Sequence, residues 1–307
     1  MSHILGFIGP IPEEQADAYR ANGYDPNRHL VGLTGVESTF ERELRGRDGQ
    51  KLVEVDVAGR EVRTVGEPEA AISGYNLRLT LDLGLQQAVE DILQKQLDVL
   101  HKSQAVAIAM NPQTGEILAM VSLPSYDNNE FTGGISTEAL RALQEDPDRP
   151  LVNHAISGMF PPGSTFKIVT ASGALEEQVV TTATRLYCGG ILWLPNRFYP
   201  EDPSLAQPFY CWIHHGSYGR HGSLDIISAL GRSCDIFFYQ AAGGYRNQFQ
   251  GLGEERLAYY SELFGFGSLS GIDLPGETTG LVPTTKWKRV NYSESWVTGD
   301  TYNMAIG

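Results

Sequence analysis

The chain has 307 residues, 41% hydrophobic and 20% charged, an ordinary globular composition with room for two domains or one large one. Its formal charge of −14 argues against nucleic acid as a partner and against a polybasic membrane-surface patch, since both need a basic face. No apolar run approaches the ~20 residues of a membrane span, and the opening MSHILGFIGPIPEEQ lacks the basic region and apolar length of a signal peptide.

In chain order, residues 11–27 read as a short polar helix closed by a glycine-containing turn. Residues 51–66 alternate apolar and polar side chains, which predicts two strands around the turn AGRE. Within 76–100 the period changes. Leu77, Leu79 and Leu81 alternate as in a strand, Asp82 can cap a helix, and Leu85, Val89, Ile92, Leu93, Leu97 and Leu100 then recur at helical spacing. One arm domain is expected to end near residue 100. Residues 104–127 predict a hairpin, with strands over 105–110 and 117–122 joined by NPQTGE. Residues 137–146 fit an amphipathic helix. The helix after Ser164 is apolar nearly all round, so burial is expected. Residues 222–244 read as two helices interrupted at GRS, with Ser223 as the cap of the first. These elements together predict an α+β fold.

The stretch FPPGSTFKIVTASGAL, residues 160–175, places Ser164 where PPG ends and a helix begins, with Lys167 one turn further on the same face. A serine is a poor nucleophile until a base takes its proton. A lysine is a base only where burial or positive potential favours its neutral form, and an apolar helix and its N-terminus supply both. The bland alternative is a capping serine beside a lysine that snorkels to solvent. The tetrapeptide alone leaves both open. Sixty-nine residues later, Ser233, Cys234 and Asp235 form a second triplet at the break between two helices.

All three cysteines, Cys188, Cys211 and Cys234, fall within one 47-residue stretch. Two readings stand. Cys188 and Cys211 could pair as a disulfide, leaving Cys234 odd. Alternatively, all three join His221 in a closed four-ligand zinc set, with His214 and His215 as competing ligands.

The segments PPGSTFK, SCDIFFYQAA, GIDLPGETTGLVP and GDTYNMAIG resemble the transpeptidase domain of class B penicillin-binding proteins, most closely the elongation-type penicillin-binding protein 2 group. Upstream, GLTGVESTFERELRGRDG and LRLTLDLGLQQAVEDIL are similar to the pedestal of that family and its link to the catalytic domain. The resemblance implies a penicillin-binding transpeptidase fold of the serine β-lactamase-like type, incomplete in this chain. Residues 1–100 would be part of an extended, β-rich, dimerisation-type pedestal with its linker, and 101–307 the N-terminal portion of the transpeptidase domain. It implies Ser164 as the acyl-forming nucleophile, Lys167 as general base and Ser233 as proton relay to the leaving amine. Asp235 stands where many relatives carry Asn, though elongation-type members resemble this chain. It cannot donate an amide hydrogen bond, and its implied role is to orient Lys167 or hold the loop. Catalysis would need no cofactor. The family likeness favours the zinc reading, because some relatives carry ligands at the positions of Cys188, Cys211, His221 and Cys234, with carboxylates at the first two; His214 and His215 do not match those positions.

The implied activity is serine-type D-Ala-D-Ala transpeptidation or carboxypeptidation of peptidoglycan stem peptides, with β-lactams acylating the same serine. Implied partners are a SEDS-type membrane glycosyltransferase and elongation-complex scaffold proteins. The implied site of action is the outer face of the bacterial cytoplasmic membrane, with a membrane span before residue 1. Rival readings are a non-catalytic scaffold, which the intact Ser164, Lys167 and Ser233 disfavour, and a β-lactam-hydrolysing or sensing relative, which the pedestal segments disfavour.

The family's third motif, K-T-G, is absent from the 307 residues; TTG at 278–280 lies inside another segment. The chain is therefore expected to be truncated at both ends. Loss of an oxyanion-hole donor costs roughly 10²–10³ in rate. The 307-residue polypeptide by itself is expected to react poorly with a fluorescent penicillin, and stoichiometric labelling of Ser164 at ordinary rates would contradict this.

Overall fold

The change of hydrophobic period at residue 82 is a real boundary. The Asp82 side chain accepts from the Leu85 amide and starts an 18-residue helix. This and the other elements come from a computed structural model, which describes residues 1–214, 219–246 and 248–307. The chain divides into two units, Met1–Gly158 with Gly271–Thr278, and Met159–Ser270 with Thr279–Gly307. Its mixture of short antiparallel ladders and helices is α+β, as expected.

The first unit contains α1 (Ser2–Leu5), β1 (Ile8–Pro10), α2 (Ala16–Ala21), β2 (Leu30–Gly32), α3 (Gly35–Thr39), α4 (Glu41–Leu44), β3 (Val53–Val55) and β4 (Glu61–Thr64). It continues with α5 (Leu83–Leu100), β5 (Ala105–Met110), β6 (Ile117–Leu123), α6 (Thr137–Glu145) and α7 (His154–Ser157). The ladders β1–β2, β3–β4 and β5–β6 are all antiparallel. Helix α5 lays Leu97, with Val89 and Leu93, on Val121 and Leu123 of β6. Leu85, Ile92 and Leu100, equally periodic in sequence, are exposed.

Residues 77–81 form no ladder, which corrects the strand expected there. The segment is extended and is fixed at its end instead. The Asp82 amide donates to the Leu118 carbonyl, the Thr80 hydroxyl donates to the Ile117 carbonyl, and Leu79 and Leu81 pack on Met120 and Ile117. Alternation shows which side chains face the core, but it does not ensure that the backbone finds a partner strand.

The second unit carries α8 (Lys167–Glu176), β7 (Leu186–Cys188), β8 (Ile191–Leu194), β9 (Gln207–Tyr210), β10 (Gly222–Leu224) and α9 (Ile226–Gly231). It ends with α10 (Asp235–Gly243), α11 (Glu254–Leu263), α12 (Thr285–Tyr292) and α13 (Thr298–Ala305). β7 pairs with β10 and β8 with β9. The apolar DIFFYQAAG of α10 has no polar face, and every residue from 235 to 242 is buried. A helix apolar all round belongs at the centre of a unit. Helices α8, α9, α11 and α13 and strands β7 and β9 all touch it.

The helix after Ser164 is covered on one face only. Lys167, Val169, Thr170, Ala171, Gly173 and Ala174 are buried, while Ile168 and Leu175 are exposed. Ser223 does not cap α9, because it lies in β10, paired with Tyr187. Asp225 is the cap and accepts from the Ser228 amide. Asp225→Ala is expected to lower the melting temperature, and Ser223→Ala to leave it unchanged, in parallel thermal unfolding.

Candidate active site

Ser164 sits in a 3₁₀ turn, Gly163–Phe166, that runs directly into α8. The approach is tight. Gly163 has φ +60°, and its amide donates to the Gly307 carbonyl at 3.1 Å. A Cβ on Gly307 would lie 2.4 Å from the Gly163 carbonyl oxygen, so only glycine fits there. The turn leaves the Ser164 side chain exposed and sets Lys167 at the first position of α8, facing inward.

Lys167 is 1% exposed. Its amine lies 3.1 Å from Ser164 Oγ, 3.0 Å from Ser233 Oγ, 2.9 Å from the Ser233 carbonyl oxygen and 2.5 Å from Asp235 Oδ1. Ser233 Oγ is 2.9 Å from Ser164 Oγ, which closes a triangle of two hydroxyls and an amine. This geometry disposes of the bland alternative: Ser164 caps no backbone amide, and the amine does not reach solvent. A buried amine must be fully hydrogen-bonded. Removing one partner of such a buried ion pair costs about 3–5 kcal/mol.

Ser233 and Asp235 come from the break between α9 and α10. The break is a Schellman cap: the Ser233 amide donates to the Leu230 carbonyl and the Cys234 amide to the Ala229 carbonyl. The motif requires a left-handed residue, usually glycine, where this chain has Ser233 at φ +50°. Asp235 then opens α10, where its Oδ2 accepts from the Trp212 amide at 2.8 Å. Trp212 was not singled out from sequence. Its signal was adjacency to Cys211 in YCW, but a main-chain donor leaves no trace in a pattern of side chains.

Cys188, Cys211, His221 and Cys234 converge, with all four donor atoms within 4.8 Å of one another. His221 Nδ1 is 3.6 Å from Cys188 Sγ and 3.5 Å from Cys211 Sγ, and the Sγ atoms of Cys211 and Cys234 are 4.0 Å apart. A tetrahedral zinc, with Zn–S of about 2.3 Å and Zn–N of about 2.0 Å, has donor–donor edges of about 3.5–3.8 Å. The residues therefore fit that ion. All three cysteines are free thiols and buried, so none is paired as a disulfide. Hydrogen bonds from Cys211, and next from Cys234, hold the Cys188 thiol far below the usual cysteine range. Cys234 is pushed the other way by Cys188, then Cys211, then burial. Among the described residues His214 stands outside the cluster, and His215 lies outside the described residues. Cys234 points into this cluster while its neighbours Ser233 and Asp235 point to Lys167.

Residues 105–307 match the family described as the penicillin binding protein transpeptidase domain, and residues 1–79 match the penicillin-binding protein dimerisation domain. Over the whole chain, the peptidoglycan D,D-transpeptidase MrdA of Escherichia coli K12 is 36% identical, and that of Haemophilus influenzae is 33% identical. The chain covers 45% and 44% of those two proteins, so it spans about half the length of the curated relatives it matches. Among solved structures, the complex of PBP2 and MreC from Helicobacter pylori matches with TM-score 0.80 at 28% identity. That match covers all of this chain and 51% of the other. Pseudomonas aeruginosa PBP2 in complex with WCK 5153 matches with TM-score 0.72 at 32% identity, covering 100% and 57%.

The left-handed Ser233 gives a stability test. Ser233→Gly is expected to be more stable than Ser233→Ala by about 1 kcal/mol, since only glycine takes this conformation without strain. Both lose the hydroxyl, and denaturant unfolding of the pair checks the difference.

Proposed function

Because the chain belongs to the penicillin-binding protein transpeptidase family, we propose that it acts as a peptidoglycan D,D-transpeptidase that cross-links stem peptides during wall elongation. The observation that carries this reading is the Lys167 amine, buried between Ser164 Oγ, Ser233 Oγ and Asp235. In this reading Ser164 Oγ attacks the carbonyl carbon of the penultimate D-Ala, and its proton passes to Lys167 Nζ. The amine accepts a proton only in its neutral form, and Asp235, 2.5 Å away, orients it toward Ser164. Collapse of the tetrahedral intermediate breaks the peptide bond. The departing D-Ala amine is protonated by way of Ser233 Oγ, which touches both Lys167 and Ser164. A neighbouring stem amine then attacks the ester carbonyl, forms the cross-link and frees Ser164. A β-lactam would acylate the same oxygen by opening its ring.

The matched ranges 1–79 and 105–307 support a pedestal with linker over residues 1–100 and a transpeptidase portion over 101–307. A structural zinc belongs to the same proposal, held by Cys188, Cys211, His221 and Cys234; a closed site of this kind supplies folding energy rather than a reactive water. Its use would be to anchor Cys234, and with it the loop that presents Ser233. The Helicobacter pylori PBP2–MreC complex, and a 32%-identical structure described as a peptidoglycan synthase complex, support two partners. These are a scaffold protein of the elongation machinery and a SEDS-type glycosyltransferase. No helix among the described residues is long and apolar enough to cross a membrane. Action at the outer face of the cytoplasmic membrane follows from the substrate.

A polypeptide that carries these residues together with a downstream K-[TS]-G strand is expected to bind fluorescent penicillin stoichiometrically. Ser164→Ala should abolish labelling, and Lys167→Ala should slow it by roughly 10²–10⁴. Labelling that survives Ser164→Ala would overturn the assignment, and rapid deacylation would redirect it to a β-lactam hydrolase.

Elemental analysis of purified protein should find one zinc per chain. Its removal by a chelator should lower the melting temperature; protein free of metal and indifferent to chelator would rule the ion out.

A further inference from the structure

Trp212 makes two contacts with the loop between α9 and α10. Its amide donates to Asp235 Oδ2 at 2.8 Å, and its indole Nε1–H donates to the Arg232 carbonyl at 3.0 Å. The second bond acts on the peptide that precedes Ser233. The peptide that follows Ser233 is held from the opposite direction, because its carbonyl accepts from Lys167 Nζ at 2.9 Å. Both peptide planes that set the φ and ψ of Ser233 are thus fixed by side-chain donors, one on each side.

That matters because Ser233 is left-handed at φ +50° and is not glycine. Such a residue persists only where its surroundings over-determine it. The Schellman bonds fix the amides of Ser233 and Cys234. They leave the Arg232 carbonyl to other donors. Trp212 also follows Cys211, one of the four clustered donors, and its ring lies 5.7 Å from that of His221. The indole is half exposed and is no part of the buried core, so its hydrogen bond is the specific contribution to explain.

We propose that Trp212 is a positioning residue for the reaction: its indole N–H holds the Arg232–Ser233 peptide so that Ser233 Oγ stays between Ser164 and Lys167. The inference rests on the reading of Ser164 and Ser233 as catalytic groups, and its test separates the two. In the full-length protein, Trp212→Phe keeps an aromatic ring and removes the donor. Acylation of Ser164 by a fluorescent penicillin should slow about tenfold, the worth of one such bond, with the concentration for half-maximal rate unchanged. In a Ser233→Ala background the same substitution should have no further effect, because the group it positions is gone. Amide hydrogen exchange over residues 230–236 should accelerate in Trp212→Phe whether or not the protein is acylated. Replacing Trp212 by 3-benzothienylalanine, which keeps the bicyclic shape and lacks only the N–H, should reproduce both effects even if the phenylalanine variant folds poorly. Parental exchange and parental acylation in the benzothienyl variant would overturn the inference, as would an undiminished tenfold penalty on top of Ser233→Ala. A wild-type protein that is never acylated would instead sink the proposed function, and the exchange rates would still decide for or against the clamp.

Discussion

A primary amine with 1% of its surface in solvent sets the terms for the second unit. Lys167 cannot be left unpaired at that depth, and water does not reach it. Three of the four oxygens around its amine lie on residues 233 and 235, and the fourth is Ser164 Oγ in the turn that leads into its helix. The two segments are 66 to 69 positions apart in sequence, so the requirement is a long-range one. It draws the turn at 163–166 and the break at 232–234 together and keeps both from relaxing.

Each segment meets that requirement with ordinary helix-end chemistry. Asp225 starts α9, a Schellman cap ends it, and α10 begins two residues past the left-handed Ser233. Helix α10 is buried at every position from 235 to 242, so the start of that helix is fixed by the core and cannot drift. The strain of a left-handed serine is therefore carried by a segment with rigid helices on either side. That is where a fold can sustain about 1–2 kcal/mol of local cost without losing its shape.

Much of this was legible in the sequence where one pattern had one physical meaning. The period change at Asp82, the hairpin within 104–127 and the helix break at GRS each had one reading, whereas the three cysteines had two, and it is the fold that brings Cys188, Cys211 and Cys234 together with His221. Failures came where two local solutions were equivalent on paper. Ser223 and Asp225 are both good caps two residues apart, and only the pairing of β10 with β7 removes Ser223 from contention. Leu77, Leu79 and Leu81 alternate as a strand would, yet no neighbouring backbone completes a ladder. The apolar run after Ser164 could not reveal which face would be left open at Ile168 and Leu175. Trp212 was invisible because half of what it does is done by its main chain.

The hydrogen-bond pattern also accounts for Asp at position 235, where the family likeness leads one to expect Asn in many members. Two donors converge on this side chain, Lys167 Nζ on Oδ1 and the Trp212 amide on Oδ2. A carboxylate offers two accepting oxygens and satisfies both. An amide offers one; its NH₂ would have to face either the amine or the Trp212 N–H, setting donor against donor in a buried site. Asp235 is therefore the residue that lets the amine and the Trp212 backbone be held at once. The Asp and the Trp212 contact are parts of one arrangement: a carboxylate without the backbone donor would leave one oxygen buried and unpaired, and an amide in its place would bring one accepting oxygen to two donors.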